Sequence, residues 1–472
     1  MVAVNELKWP AGRINECVLT RNTPVIENDV IFLCTADRID TAGRCTEFPG
    51  ASAWFADCKD CVHDRRYCKS SPSNCESDCD IIEPTNRIKL MIYLDNNATT
   101  PVAPEVLDVM NDALRGVYGN PSSAHNIGRS ARIAVDKARA EVAELVGAVR
   151  TDEIVFTASG TEADNWAIFG AAQMRPEKRH IITTVVEHEA VRKPIDELEK
   201  RGYRVTRIEV DADGNMDVSR LLAEIGDETL LVSVMQANNE TGVLFPIEQI
   251  GLGVKQRSNA LFHVDAVNAA GKVPIDVTKA SIDLLAVAAH KFHGPKGIGV
   301  LYIRDGIALP AVMLGGGQES GRRAGTEAVH QIAGIGAAAK LALEHPATAH
   351  VQKMRDRLEQ GILTTIPKAF RNGTDQAEHR LPNTSSISFE NINGAMIMAR
   401  LDVAGVCVST GSACHSQESS SSSVLQSMGV PYSRAMGSIR FSLGRYNTQA
   451  EIDRVVDILP DIIAELKSIA GN

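Results

Sequence analysis

From about Ile92 to Arg304 the chain alternates between two hydrophobic periods, and this alternation limits the fold more than any other feature. Stretches with apolar residues three and four apart run over Val106 to Val117, Ala131 to Val146, Ala190 to Lys200, Val218 to Ile225 and Ile247 to Val254. Short β-rich runs lie between them, at Glu153 to Thr157, His180 to Val186, Val205 to Val210, Leu230 to Met235, Leu261 to Val264 and Leu284 to Val287. Strands that alternate with helices build right-handed crossovers, so an α/β fold is expected, with a mostly parallel central sheet covered on both faces. Near Leu343 to Ala349 this pattern gives way to a long helix, Val351 to Leu363, then to α+β material ending in a helix over Gln449 to Ile469. The expected division is a large domain over 105–349 and a smaller α+β carboxyl-terminal domain over 350–472, which the segment 91–104 joins. Ser419 to Ser423 is a run of serines that cannot pack a core and is expected to be a mobile loop.

Residues 1–90 have a different character. They show little periodicity, and Asp57 to Asp80 is mostly Cys, Ser, Asp, Lys and Arg. Apolar burial alone would hardly hold such a unit together. Of the 10 cysteines, Cys17, Cys34, Cys45, Cys58, Cys61, Cys68, Cys75 and Cys79 precede Met91, and only Cys407 and Cys414 follow. In a reducing compartment a dense cysteine cluster points to metal rather than to disulfides. The candidate ligands are Cys58, Cys61, Cys68, Cys75 and Cys79, with His63 as an extra. Zinc and an iron–sulfur cluster both suit them, and the spacing does not separate the two. Redox or sulfur-relay thiols are the other reading.

The balance of 49 basic against 59 acidic residues gives a net charge of −10 over 472 residues, which argues against direct nucleic-acid or anionic-membrane binding. No apolar run reaches the roughly 18–20 residues of a membrane span. The first 30 residues lack the apolar region of a secretory signal, so a cytoplasmic location is expected.

In open α/β sheets, ligands bind at the carboxyl ends of the strands, and those ends carry a recurrent set of residues here. Glu153 to Thr157 leads into Ala158-Ser-Gly-Thr-Glu162. A Ser/Gly/Thr turn opening a helix suits a phosphate, although Ser159 or Thr161 could equally be an ordinary helix cap. The next strand ends at Glu187-His188, and the one after it leads into Ala237-Asn-Asn-Glu-Thr-Gly242. The strand Leu261 to Val264 ends at Asp265, followed by Asn268, and Leu284 to Val287 leads to His290-Lys291 and a glycine-rich turn. A lysine at an apolar strand end is out of place on a solvated face, and burial would make it a nucleophile or base. Each feature alone has a plain structural explanation. Together they are what a pyridoxal-phosphate enzyme needs: a lysine for the Schiff base, an aspartate for the ring nitrogen and a helix start for the phosphate.

The sequence from Ile92 onward resembles the NifS/IscS-type cysteine desulfurases, class V enzymes of the fold-type I pyridoxal-phosphate group. The stretches that carry the resemblance include Tyr93-Leu-Asp-Asn-Asn-Ala-Thr-Thr-Pro101, Phe156-Thr-Ala-Ser-Gly-Thr-Glu162, Asn238-Asn-Glu-Thr-Gly-Val243, His263-Val-Asp-Ala266 and His290-Lys-Phe-His-Gly-Pro-Lys-Gly297. Arg323-Ala-Gly-Thr326, Thr410-Gly-Ser-Ala-Cys-His-Ser416 and Ser438-Ile-Arg-Phe-Ser-Leu-Gly-Arg445 continue it in family order. The resemblance implies that Lys291 carries pyridoxal 5'-phosphate, that Asp265 pairs with the ring nitrogen and that His188 stacks on the ring. Gly160, Thr161 and His290 belong to the phosphate site, with Thr326 reaching the phosphate of a second subunit in a homodimer. Asn239 and Arg440 would hold the substrate carboxylate, and Cys414 would be the nucleophile. Two positions depart from the family. Asn268 stands where Gln is common, which shortens the reach to the ring hydroxyl, and Ala288 stands where Ser is common.

A cysteine on a flexible loop has its own chemical logic. A thiolate must attack the sulfur of the bound amino acid and then carry a persulfide to an acceptor, which a rigid helix would prevent. Cys414 lies among Thr410, Gly411, Ser412 and Ser416, whereas Cys407 lies among Val403, Val406 and Val408 and reads as a core residue. The expected activity is therefore L-cysteine desulfuration to L-alanine, with a sulfur-acceptor protein as partner. A selenocysteine lyase is the close alternative, and a metal- or redox-sensing scaffold is the alternative of another class.

Overall fold

The computed structural model describes residues 91–410 and 422–470, together with a short antiparallel pair, Val25–Glu27 with Val30–Phe32. The chain divides into two units, Met1–Leu90 and Met91–Asn472. The five candidate metal-binding cysteines lie outside the described residues, as do Cys414 and its neighbours over 411–421.

The second unit is built on a seven-stranded sheet. Its strands are β1 (Ile154–Thr157), β2 (His180–Thr184), β3 (Arg204–Ile208), β4 (Thr229–Met235), β5 (Leu261–Asp265), β6 (Leu284–Ala288) and β7 (Gly299–Ile303), in the order β1-β7-β6-β5-β4-β2-β3. Neighbours from β3 to β6 are parallel, while β7 runs antiparallel to both β6 and β1. The sequence pattern missed β7. It follows a glycine-rich turn with no helix before it, so the strand–helix alternation gives no cue there.

Successive side chains of a strand point to opposite faces. Ile154 and Phe156 of β1 accordingly enter one apolar cluster, with the helices Pro104–Gly116, Asn126–Val146 and Val329–Glu344, while Val155 enters another, with Gly160–Met174 and Glu189–Lys200. Both faces are covered, which is why β4, β5 and β6 are apolar along most of their length and buried throughout. A third cluster joins Leu94 to Leu358, Phe389, Phe441 and Ile463, around a four-stranded sheet that contains Thr384–Phe389 and Ser438–Ser442. Strand Ile92–Tyr93 pairs in parallel with Val406–Cys407, so the segment just after Met91 packs with carboxyl-terminal elements.

Two local expectations are corrected. Ser422 and Ser423 of the serine run are ordered. Ser422 is buried and its hydroxyl accepts the N–H of Leu425, capping the helix Ser423–Ser427. Cys407 is half-buried rather than a core residue, because successive strand side chains point to opposite faces and Val406 takes the buried one.

Candidate active site

The carboxyl edge of the large sheet gathers Gly160, Thr161, His188, Asn239, Asp265, Asn268, His290 and Lys291, because β1, β2, β4, β5 and β6 all end there. Past β1, Ser159 is the N-cap of helix Gly160–Met174 and accepts the N–H of Glu162 at 3.1 Å. The hydroxyl of Thr161 is therefore not the cap, and Thr161 is exposed in the first turn, where helix N–H groups have no intrahelical acceptor. Gly160 is required by close packing, since a Cβ there would sit 2.6 Å from Cγ2 of Val267 and 3.3 Å from Cβ of Ala288.

Past β2, Glu187 and His188 open the helix Glu189–Lys200, and Nδ1 of His188 accepts the N–H of Ala190 at 3.1 Å. Glu187 is buried. Its Oε1 accepts from Oγ1 of Thr184 at 2.7 Å and from the N–H of Met235 at 3.1 Å, while its Oε2 has no hydrogen-bond partner. Desolvation outweighs those bonds and pushes its carboxyl up to about 8.

Asp265 ends β5 at 6 % exposure and accepts the N–H of Val267 at 2.9 Å. Burial pushes its carboxyl up, while His188, the Val267 N–H and Lys291 pull it down. Beneath it, Asp164 lies 3.3 Å from Nε2 of His263, whose Nδ1 is 2.8 Å from Oγ of Ser233. All three are fully or almost fully buried. Desolvation raises Asp164 well above the usual carboxylate range, as do Asp265 and Glu187, and it lowers His263 to about 3. The acid–imidazole pair is therefore held neutral.

Lys291 sits in the short turn after β6. Its Nζ donates to the main-chain oxygens of Asn97 at 2.5 Å and Ala98 at 3.0 Å. His290 is 3.2 Å from Oγ1 of Thr99, and desolvation followed by the charge of Lys291 lowers it to about 4. Asn268 is buried at 6 % exposure and its Nδ2 has no partner. Thr326 is exposed on the loop after Gly325.

Arg440 comes from the smaller sheet. Its Nη1 donates to the main-chain oxygen of Asn239 at 3.1 Å, its Nη2 pairs with Asp95 at 2.8 Å, and its Nε is buried without a partner. The turn that carries Asn239 is fixed by Gly242. With φ at 81° and an added Cβ 2.9 Å from Cβ of Thr384, that position admits only glycine comfortably.

Sequence reasoning assigned no role to Asp95, Asn97 or Asp164. Asp95 and Asn97 lie in a stretch that carries the family resemblance, but the partners of their side chains are 142 to 345 residues away in the chain. Asn97 contacts Asn239, Thr384, Asn383 and Lys272 through its side chain and Lys291 through its carbonyl. The signal available was two adjacent asparagines, Asn96 and Asn97, close after the apolar Leu94, a costly placement when buried unless their amides are used.

Comparison with known proteins agrees with this arrangement. The aminotransferase class-V family matches residues 92–455. A cysteine desulfurase of Trichormus azollae is 50% identical over 382 residues, covering 80% of this chain and 94% of that protein. The cysteine desulfurase NifS of Azotobacter vinelandii is 46% identical over 382 residues, with the same coverage of each. Among solved structures, a NifS-like protein from Rickettsia africae superposes with a TM-score of 0.71 at 32% identity, covering 79% of this chain and 99% of that one. The seven-stranded sheet, the residues gathered at its carboxyl edge and these likenesses lead to one conclusion: the chain belongs to the class-V aminotransferase family, among its cysteine desulfurases.

Proposed function

We propose that this protein is a pyridoxal 5'-phosphate-dependent L-cysteine desulfurase that yields L-alanine and a persulfide on Cys414. The observation that carries the reading is the meeting of a lysine amine, a buried aspartate and an arginine at one sheet edge, beside buried polar atoms left without partners. Such atoms are costly to bury unless a ligand satisfies them. The donor set fits the cofactor. Lys291 supplies the amine for covalent attachment, Asp265 a carboxylate for the ring nitrogen, and Asn268 Nδ2 a donor for the ring hydroxyl. The helix start at Gly160 and Thr161, with His290, serves the phosphate. When bound, the cofactor supplies an electron sink for the carbon that carries the sulfur.

The protein's own residues do the rest. Asn239 and Arg440 hold the substrate carboxylate, and the substrate shares Arg440 with Asp95. The amine of Lys291 would take up the Cα proton of the substrate and return it as alanine forms, and His188 would pack against the ring. The thiolate of Cys414 attacks the substrate sulfur. A sulfur–sulfur bond forms, the carbon–sulfur bond breaks, and protonation of that carbon leaves alanine. A sulfur-acceptor protein then takes the persulfide sulfur, for iron–sulfur cluster assembly or thiolation.

The apolar clusters support a catalytic organisation in which 105–349 bind the cofactor, 350–472 carry the nucleophile, and 91–104 join the latter. A homodimer completed by Thr326 agrees with the exposure of Leu107, Leu114, Tyr118, Ile133 and Leu314. We place the protein in the cytoplasm. Among the described residues no helix is long and apolar enough to cross a membrane. For residues 1–90 the cysteine spacing supports a zinc or iron–sulfur module.

The test measures alanine and sulfide released from cysteine, with selenocysteine in parallel. Cys414→Ala should abolish sulfur release while sparing selenium release, because selenium leaves more easily. Full cysteine activity in that variant would refute the persulfide step. Metal analysis of the full chain purified without oxygen checks the amino-terminal module, and absence of stoichiometric zinc or iron refutes it.

A further inference from the structure

Lys272 belongs to none of the stretches that carry the family resemblance, yet it lies between two residues of the site. It sits four residues after Asn268, within the stretch Ala269-Ala-Gly-Lys-Val-Pro274. Its Nζ is 2.8 Å from Oδ1 and 3.0 Å from the main-chain oxygen of Asn268, and 3.2 Å from Oδ1 of Asn97. It lines a cavity of about 50 Å³ together with Lys291, Thr100, Asn383 and Arg445.

We propose that Lys272 is a positioning residue that sets the orientation of the Asn268 carboxamide, and so presents Nδ2 of Asn268 as a donor to the cofactor ring. The two ends of a carboxamide have the same shape, so its neighbours decide which way it faces. Burial and the charges of Lys291 and Arg440 pull the Lys272 amine well below its ordinary pKa. Charged or neutral, it donates to the oxygens around it, and so it fixes the oxygen of Asn268 on its own side. The nitrogen is left on the other side, buried and without a partner. An acceptor on a ligand completes it, and the ring hydroxyl of pyridoxal phosphate has that chemistry. The same Nζ holds Oδ1 of Asn97, whose main-chain carbonyl accepts from Lys291. One side chain thus orients both the residue that meets the ring and the residue that holds the reactive amine.

This inference rests on the cofactor reading above, and the experiment separates the two. The dissociation constant for pyridoxal 5'-phosphate and the pH midpoint of its lysine-bound visible absorbance are measured for the wild type, Lys272→Met, Asn268→Ala and the double variant. The thermal midpoint of each apo-protein is measured alongside. Lys272→Met is expected to weaken cofactor binding about tenfold, the size of one lost hydrogen bond to a charged or oriented group, and to move the absorbance midpoint. In the Asn268→Ala background the same change should add less than about twofold, because contacting residues couple. Full additivity, or an altered thermal midpoint with unchanged cofactor affinity, overturns the proposal. Should Lys272→Met fail to fold, Asn268→Asp decides: it replaces the donor by an acceptor and is expected to weaken binding, and unchanged affinity overturns the idea. A wild type that binds no cofactor refutes the cofactor reading instead.

Discussion

Two regions bury carboxyl groups, and they treat them in opposite ways. In the smaller lobe, Glu359 accepts from Arg380 at 2.7 and 3.0 Å, from Arg371 at 3.2 Å and from Ser385 at 2.7 Å. Desolvation raises its pKa, but these partners outweigh it and hold the carboxyl at about 2. At the edge of the large sheet, Glu187, Asp164 and Asp265 are equally buried and no arginine meets them, so all three are pushed upward. A carboxylate that completes its pairing inside the chain serves stability. A buried carboxyl left incomplete lowers stability, and of these three Asp265 is the one that the proposed cofactor would complete.

The largest test of this contrast is Lys291→Ala, which should reduce alanine formation below detection and remove the visible absorbance of the lysine-bound cofactor while leaving unfolding by urea nearly unchanged. Retained activity would break the comparison at its centre. Asp265→Asn keeps the shape and removes the charge. It is expected to lower alanine formation by about 10²–10³-fold, the range for losing one preorganised electrostatic partner, with little loss of stability.

Glu359→Gln should do the reverse: turnover per folded molecule stays near wild type, while stability at pH 7 falls by about 3 kcal/mol, as when a buried pair loses one member. The wild-type advantage is present above the unfolded value of 4.5 and lost as pH falls through about 2, because the native carboxylate binds its proton more weakly than the unfolded one. Urea titrations between pH 2 and 7 check this.

The smallest effect is expected for Glu187→Gln. Native Glu187 keeps its proton up to about pH 8 against 4.5 when unfolded, so it costs stability progressively as pH rises through that window. The glutamine variant should flatten the pH dependence there and equal or exceed wild-type stability at pH 8. An unchanged dependence in that window would mean that Glu187 is ionised and paired.

Much of this was legible in the sequence. The strands that lead to His188, Asp265 and Lys291 announced themselves by mostly apolar runs followed by polar residues. A parallel strand buried on both faces tolerates a polar residue only where it finds a partner, as His263 does in Ser233. β7 was missed although Val300 to Ile303 is an apolar, β-rich run, because it returns antiparallel through glycines with no helix before it and so falls outside the strand–helix alternation. Asn97 and Asp95 were invisible in role for a related reason. Their meaning comes from partners such as Arg440, 345 residues away from Asp95.

The sequence by itself determined the alternating architecture, the residue types at the strand ends and the separation of the cysteine-rich segment, because these depend on local period and composition. Only the tertiary structure decided which carboxyls stay neutral, which arginine is already paired and which way the Asn268 amide faces. Protonation and hydrogen-bond direction are set by desolvation and by neighbours brought close through folding, and chain order does not encode those distances.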